Sequence, residues 1–283
     1  MSGERSQIGA TVPLVTIDVA VIPCAGAGTR MRPATRIVPK PLIPVIDRPV
    51  IQYVVEEAVA AGITEIVLVV DERPGDPVMA HFTEGDPIPG LEEVTFTRAL
   101  QDAPRGLGDA VLCAADAVGD RPFLCMLSDM FPRPGRSYAT RLVQSFEGRA
   151  VLAVQPMPDE YLVRWGFVAT AGEADNGVVE VTGAVEKPGP DSPSNLGLPG
   201  RYVFTPEIFQ LLASQQAGHG GEIQLTDAID TLARRDGATG VVVGDDLFDT
   251  GIPSGLLEAT AAVGLARPDL ADQFRAALDR LLE

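Results

Sequence analysis

The sequence predicts an α/β fold of three layers, in which a mixed, mostly parallel central sheet lies between helices. Residues 19–23 are apolar and β-branched, as expected of a buried strand, and 64–70 form a second run of this kind. Between them, residues 50–61 carry apolar side chains at helical spacing and end before Gly62. A strand, a helix and a strand at this spacing form a right-handed crossover, so the two strands are expected to be parallel.

The same patterns predict the remaining elements in chain order. The stretch 71–92 is rich in Pro, Gly and acidic residues, which is typical of a loop with one helical turn. We expect strands at 93–97, 122–127, 150–155 and 178–185, and helices at 110–117, 252–264 and 269–282. No repeat or low-complexity linker divides the chain, and 283 residues with 46% hydrophobic side chains can bury one large core.

Composition excludes several classes of function. The net charge of -17 argues against a nucleic acid polymer as partner, because phosphate backbones bind basic surfaces. It also disfavours binding to anionic membranes, and no apolar run approaches the length needed to span a bilayer. Residues 1–10 lack the apolar core of a signal peptide. We therefore expect a cytoplasmic protein that contacts neither nucleic acid nor membrane.

The first strand leads into a glycine-rich turn followed by cations. Gly26 and Gly28 allow backbone N–H groups to approach a ligand without obstruction by a Cβ atom. The basic residues that follow are Arg30, Arg32, Arg36, Lys40 and Arg48. A glycine turn at the end of a strand, followed by cations, is typical of a phosphate site, although an ordinary turn is the simpler alternative. Met31 stands where a dinucleotide fingerprint needs its third glycine, and the sequence contains no P-loop motif.

Lysine is rare in this chain. Of the 22 basic residues only Lys40 and Lys187 are lysines, and all others are arginines. An ammonium group binds phosphate as a compact point charge, whereas guanidinium is a planar fork. The pattern indicates two sites at which arginine would not substitute, with coincidence as the alternative.

The segment AGAGTRMRPAT…PK at 25–40 resembles the signature of the sugar-nucleotide pyrophosphorylases, which join a sugar 1-phosphate to a nucleoside triphosphate. Residues 48–57 are most similar to the bacterial UTP–glucose-1-phosphate uridylyltransferase branch of that family. The resemblance extends over roughly 18–255 and implies a Rossmann-like sheet of the nucleotide-diphospho-sugar transferase type. It implies that Arg30 and Lys40 act on the triphosphate. The residues it assigns to the nucleotide are Ala25, Gly26, Gly28, Thr29, Gln101, Gly106 and Ser128.

Two departures from the family pattern affect the choice of nucleotide. Gln101 and Gly106 occupy the positions that recognise the base by resemblance. Nearby, Arg105 and Asp109 stand where the uridylyltransferases usually have Lys and His. An ordinary glycine-rich loop is the alternative for this stretch, and TTP or GTP is the alternative to UTP.

Two aspartates are expected to hold Mg²⁺. Asp129 follows the apolar strand 122–127, at the end where open α/β sheets bind ligands. By resemblance Asp129 is a metal ligand and Asp249 is its partner, while helix capping is the alternative for Asp129. Mg²⁺ commonly takes one or two protein carboxylates together with substrate phosphates, so two aspartates are sufficient.

The second half of the chain carries the sugar motifs. By resemblance Gly166, Glu186, Asn195 and Glu222 contact the sugar, with Glu222 presented by a helix, and Lys187 binds the sugar phosphate. A surface ion pair is the alternative for the Val-Glu-Lys-Pro motif that contains Glu186 and Lys187.

These observations predict one domain, and resemblance adds its activity. We expect a disordered tail at 1–12, one nucleotidyltransferase domain at 13–265 and a C-terminal helix at 266–283. Within the domain the nucleotide half covers about 13–149 and the sugar half about 150–255. The expected reaction joins UTP and α-D-glucose 1-phosphate to give UDP-glucose and pyrophosphate, in a homo-oligomer. The alternatives are another triphosphate with a modified sugar or cyclitol phosphate, and a regulator that binds nucleotide sugars without catalysis.

Overall fold

The computed structural model describes residues 16–244 and 246–283. The predicted tail at 1–12 lies outside this part. The strands are β1 (Val19–Pro23), β2 (Pro44–Val45), β3 (Arg48–Pro49), β4 (Glu65–Val70), β5 (Thr95–Leu100), β6 (Phe123–Met126), β7 (Met130–Pro132), β8 (Val151–Pro156), β9 (Gly166–Asp175), β10 (Val178–Glu186), β11 (Leu196–Gly197), β12 (Arg201–Phe204), β13 (Ala238–Val242) and β14 (Leu247–Asp249). The helices are α1 (Val50–Ala60), α2 (Pro77–Thr83), α3 (Leu107–Leu112), α4 (Ala115–Val118), α5 (Tyr138–Gln144), α6 (Glu207–Ser214), α7 (Leu225–Asp236), α8 (Pro253–Ala266) and α9 (Ala271–Leu282).

One large sheet organises the described residues. Its strands run in the order β11-β9-β10-β13-β8-β12-β6-β1-β4-β5. In the first half of the chain β5, β4, β1 and β6 are all parallel, as predicted from the crossover unit. In the second half only β8 and β13 pair in parallel, and the other pairings are antiparallel. Among the described residues, four of the ten strand pairings in this sheet are parallel and six are antiparallel, so the prediction of a mostly parallel sheet holds only for the first half of the chain.

Alternate side chains of β1 enter two separate cores. Ala20 and Ile22 pack with helices α1, α5 and α8, whereas Val19 and Val21 pack with α3, α6 and α7. A strand covered on both faces has no solvated side, which is why its sequence is uniformly apolar rather than alternating. The predicted α/β architecture of three layers is confirmed.

Several predicted boundaries shift. The strand expected at 93–97 is β5 at Thr95–Leu100, and the helix expected at 110–117 is divided into α3 and α4. The stretch 71–92 contains the two-turn helix α2, whose first turn is capped by Asp76 accepting from the Met79 N–H at 3.4 Å. Within the described residues, no helix is long and apolar enough to cross a membrane.

A small second sheet joins distant parts of the chain beside the large one. β7 follows β6 closely, and it pairs antiparallel with β14 so that Met130 lies opposite Asp249. Phe131 on β7 contacts Phe248 on β14 edge to face, with ring centroids 5.6 Å apart. This pairing brings the segments after β6 and β14 together at one edge of the fold.

Candidate active site

The glycine turn after β1 is folded tightly onto the segment that carries Lys40. Gly28 adopts φ of +57°, and its carbonyl accepts a hydrogen bond of 2.7 Å from the Thr35 hydroxyl. A Cβ atom at Gly28 would lie 3.0 Å from Thr35 and 3.1 Å from the Lys40 Cβ. Glycine is therefore required here by both the backbone conformation and the close approach.

A cavity of about 390 Å³ opens beside this turn. It brings together all seven residues predicted to contact the nucleotide, as well as Lys40 and Asp129. Glu222, which was expected in the sugar pocket, lines this cavity instead. It lies in the loop that precedes α7, because the helix begins only at Leu225. The prediction that a helix presents Glu222 is wrong.

The two departures from the family pattern form a pair. Arg105 Nε donates to Asp109 Oδ1 at 3.0 Å, and Gln101 Nε2 donates to Asp109 Oδ2 at 2.7 Å. Gln101 Nε2 also donates to the Gly106 carbonyl at 3.1 Å. Asp109 is a buried carboxylate, so its two partners compensate for the loss of hydration. Arg105 and Asp109 together fix the loop that carries Gln101.

This loop is joined to the segment before α7. The Gly108 N–H donates to the Ile223 carbonyl and the Ile223 N–H donates to the Arg105 carbonyl, each at 2.8 Å. Gly106 adopts φ of +114°, and a Cβ atom there would lie 2.6 Å from the Ile223 carbonyl oxygen. One wall of the cavity is therefore assembled from two distant stretches of sequence.

The two predicted metal ligands converge on one point. The Asp129 carbonyl accepts from the Thr250 N–H at 3.0 Å and from its hydroxyl at 2.7 Å, which locks the two segments together. A Cβ atom built on Gly251 would lie 2.5 Å from Asp129 Oδ2 and 2.8 Å from Asp249 Oδ1. No group of three or more His, Cys, Asp and Glu side chains suited to a metal occurs among the described residues. Two carboxylates supplemented by substrate phosphates still fit the preference of Mg²⁺ for oxygen ligands.

Cations surround these carboxylates. Lys40 Nζ is paired with Asp129 Oδ2, and Arg164 Nη2 lies 3.0 Å from Asp249 Oδ2. Arg30 Nη1 lies 4.0 Å from the same oxygen, with half of its side chain exposed. Burial raises the pKa of Asp249, and the neighbouring charge of Asp129 raises it further, while Arg30 and Lys40 act in the opposite direction.

Arg164 was not singled out as a functional residue in the sequence. Its guanidinium lies 5.4 Å from the centre of the Tyr161 ring, in addition to its contact with Asp249. Its position just before the Trp165-Gly166 pair was visible in the sequence, but its distance from Asp249 depends on the fold.

A second, smaller cavity of about 140 Å³ shares Asp129 with the first and is lined by Asp249 as well. It is lined by Arg30, Asp129, Arg164, Trp165, Gly166, Glu186, Thr226 and Asp249, among others. Glu186 Oε2 accepts a hydrogen bond of 2.7 Å from the Thr226 hydroxyl, and a Cβ atom on Gly166 would lie 2.8 Å from that hydroxyl. Sequence reasoning did not identify Thr226, whose role depends on the contact between α7 and β10.

The other two predicted sugar-half residues lie outside the lining of both cavities. Lys187 Nζ pairs with Glu186 Oε1 at 3.2 Å, and its backbone adopts φ of +48°. This left-handed conformation is uncommon for a residue with a side chain and occurs frequently at functional sites. Asn195 is exposed, and its carbonyl accepts from the Met157 N–H at 2.9 Å. A larger cavity of about 530 Å³, between α1 and α8, contains none of the predicted site residues.

Comparison of the chain with known proteins identifies its family. The family model described as nucleotidyl transferase matches residues 19–264. The chain belongs to the nucleotidyl transferase family. The chain is 36% identical over 279 residues to the UTP–glucose-1-phosphate uridylyltransferase of Streptococcus pneumoniae serotype 4, an alignment that covers 90% of this chain and 93% of the relative.

Solved nucleotidyl transferase structures share this architecture. A UDP-glucose pyrophosphorylase complexed with UDP-glucose has a TM-score of 0.83 and 29% identity, covering 89% of this chain and all of that chain. A UTP-bound enzyme of the same kind from Acinetobacter baumannii has a TM-score of 0.80 and 33% identity, covering 93% of this chain and 99% of that one. The family resemblance and the predicted α/β fold, a mixed central sheet flanked by helices, are confirmed.

Proposed function

We propose that this nucleotidyl transferase joins UTP and α-D-glucose 1-phosphate to give UDP-glucose and pyrophosphate. The observation that carries the proposal is the convergence of Asp129 and Asp249 on one point, with Asp129 lining both cavities and Asp249 lining the smaller one. One cavity contains the glycine turn and Gln101, and the other contains Glu186. Relatives at 36% identity over nearly their whole length are named for this reaction.

In the proposed reaction an oxygen of the sugar phosphate attacks the α-phosphorus of the triphosphate. The bond from that phosphorus to the β-phosphate oxygen breaks, and pyrophosphate leaves with its electron pair. Such transfers depend on positioning and charge neutralisation, so the protein need not supply a covalent nucleophile. Neither histidine is placed as a nucleophile at this site. His219 is exposed, and His81 Nε2 lies 3.2 Å from Oε1 of Gln52, a residue of α1.

Each charged side chain has a task in this scheme. Arg30 and Lys40 neutralise the triphosphate and the departing pyrophosphate. Lys187 orients the attacking phosphate while Glu186, held by Thr226, binds sugar hydroxyls. On the nucleotide side, Gln101 and Gly106 recognise the base, and backbone N–H groups of the glycine turn contact phosphate oxygens.

Enzymes of this type generally use a divalent metal, and the donor set here suits Mg²⁺. Asp129 and Asp249 would hold it, since both supply carboxylate oxygens and lie in a partly buried site. When bound, Mg²⁺ would act as a Lewis acid on the phosphate oxygens and as a template for the two substrates.

The test is a matrix of UTP, TTP, GTP and other triphosphates against a set of sugar 1-phosphates, with Mg²⁺, read by release of pyrophosphate. We expect one dominant signal, from UTP with glucose 1-phosphate. A dominant signal from another pair would agree with the proposed type of reaction but would contradict the assignment of UTP and glucose 1-phosphate as its substrates. Silence with every pair, while UTP still binds, would reject catalysis in favour of a binding regulator. The variant Asp129→Asn is the control for release that does not depend on the site.

A further inference from the structure

A buried ion pair lies directly behind the two aspartates. Arg201, on β12, is fully buried, and Glu57, on α1, has only 3% of its side chain exposed. Arg201 Nε and Nη2 lie 3.1 Å and 2.9 Å from Glu57 Oε2. Burying two charges removes their hydration, and the free energy lost in this way can exceed the gain from their mutual attraction. The presence of a buried ion pair is therefore weak evidence that it stabilises the fold. The other hydrogen bonds of Arg201 indicate what the pair does.

Arg201 holds both backbone flanks of Asp129. Its Nη1 donates to the Leu127 carbonyl at 3.2 Å, and its Nη2 donates to the Met130 carbonyl. Leu127 and Met130 lie immediately on either side of the Ser128-Asp129 dipeptide. The guanidinium therefore closes the bend between β6 and β7, at whose apex Asp129 stands.

The Arg201 side chain is itself fixed from two directions. Glu57 Oε1 accepts from the Tyr138 and Ala139 N–H groups, each at 3.0 Å, so that α1, α5 and β12 are tied together. On the other side Arg201 Nη1 donates to the Gly200 carbonyl at 3.1 Å, and the same carbonyl accepts from the Leu127 N–H at 3.0 Å, which extends the pairing of β6 with β12. Gly200 adopts φ of +76°, and a Cβ atom there would lie 2.5 Å from the Leu127 side chain.

The chemistry of this unit calls for arginine. A guanidinium has several donors in one plane and can serve a carboxylate and separate carbonyls at the same time. A lysine ammonium retains the positive charge but has a single nitrogen, whereas Arg201 serves Glu57 and Met130 from Nη2 and Leu127 from Nη1. The charge can thus be separated experimentally from the geometry.

We propose that Arg201, held by Glu57, is a positioning residue that fixes the direction of the Asp129 carboxylate toward Asp249. Arg201 contacts neither carboxylate and acts through the backbone of the bend. The inference rests on the proposed function, and the activity of the unchanged protein in the substrate matrix tests that function separately.

The experiment compares Arg201→Lys and Glu57→Gln with the unchanged protein. Glu57→Gln retains an oxygen for the two N–H groups of α5 but removes the charge that holds Arg201. The matched control is Val118→Ala, which deletes buried methyl groups at the end of α4, the helix that precedes β6, whereas Asp129 follows that strand. Melting temperature, kcat, KM for UTP and the Mg²⁺ concentration for half-maximal rate are measured for each. Binding of Mn²⁺ in the presence of UTP, followed by its electron spin resonance signal, gives a readout that does not require turnover.

We expect each folded pair variant to lose at least about tenfold in kcat and to need several times more Mg²⁺, because misplacing a group by a fraction of an ångström weakens a preorganised site. The UTP KM should change less than threefold, and Mn²⁺ binding should weaken in parallel. Val118→Ala should lower the melting temperature but leave both the Mg²⁺ requirement and the binding of Mn²⁺ unchanged. The proposal is overturned if the pair variants keep their Mg²⁺ and Mn²⁺ responses, or if Val118→Ala changes them equally. It is also rejected if neither pair variant folds, since the pair would then be a stability element alone.

Discussion

Gly251→Ala tests the convergence of the two aspartates with a single methyl group. The added Cβ atom would lie 2.5 Å from Asp129 Oδ2 and 2.8 Å from Asp249 Oδ1, and it would also contact Lys40 Nζ. These distances are below the 3.0 Å that Cβ atoms in real structures respect. All three atoms lie at the ends of side chains, so the carboxylates and the ammonium move rather than the backbone.

The size of the effect follows from these distances. To relieve the contacts, the Asp129 carboxylate must move by about 0.5 to 1 Å and that of Asp249 by about 0.2 to 0.6 Å, and a misplacement of 1 Å can cost about 100-fold in rate. That loss corresponds to about 2.7 kcal/mol in the activation barrier. The free energy of unfolding should change little. The backbone of Gly251 lies outside the left-handed region, so alanine causes no backbone strain there. Alanine also restricts the unfolded chain, which stabilises the folded protein by about 0.4–1 kcal/mol.

The assay is pyrophosphate release from UTP and glucose 1-phosphate across a range of Mg²⁺ concentrations, together with thermal unfolding. Gly244→Ala is the matched control, since its Cβ atom would meet no atom closer than 3.5 Å. We expect Gly251→Ala to lose about 100-fold in rate with a melting temperature within about 4 °C of the unchanged protein. A rate within threefold of the Gly244→Ala control would refute convergence of the carboxylates at this point.

Three further substitutions address the other parts of the site. Lys187→Ala should lower turnover about 100-fold through the sugar phosphate while calorimetry still detects UTP binding; unchanged turnover would remove Lys187 from the site. Asp129→Asn should abolish both the rate and its response to Mg²⁺, and full activation by Mg²⁺ would contradict its role as a ligand. Thr226→Val deletes the 2.7 Å hydrogen bond to Glu186. It should raise the KM for the sugar phosphate about tenfold, corresponding to about 1.4 kcal/mol, and leave the KM for UTP unchanged; equal changes in both would contradict a local effect.

Parts of the site that depend on a short segment could be predicted from the sequence. The glycine turn, Lys40 and the start of the parallel sheet lie within one stretch, in which strand, turn and helix signals are local. Asp129 was identifiable because a carboxylate directly follows a fully apolar strand, and parallel sheets bind ligands at that end. The roles assigned to Lys187 and Glu186 came from a motif four residues long, and they remain predictions.

Residues whose roles depend on tertiary contacts could not be found in this way. Arg164 and Arg201 are two among many arginines, and neither stands out in composition or spacing. Arg201 acquires its contacts only when β12 inserts between β6 and β8 and places it against Glu57, 144 positions away. Glu222 was assigned to the sugar by resemblance and was expected on a helix, whereas α7 begins three residues after it.

The cations of the two cavities are gathered around the two aspartates. Arg30, Lys40 and Arg164 lie beside Asp129 and Asp249, while Glu186 and Glu222 add two further carboxylates to the linings of the two cavities. Within about 8 Å, the screening length at physiological salt, the local charges act more strongly on a substrate than the distant acidic surface. Lys40 is already paired with Asp129, however, and Arg164 with Asp249. Each can turn toward phosphate oxygens only when another cation takes its place beside the carboxylate. The same two contacts therefore predict that a triphosphate binds tightly only together with a divalent cation.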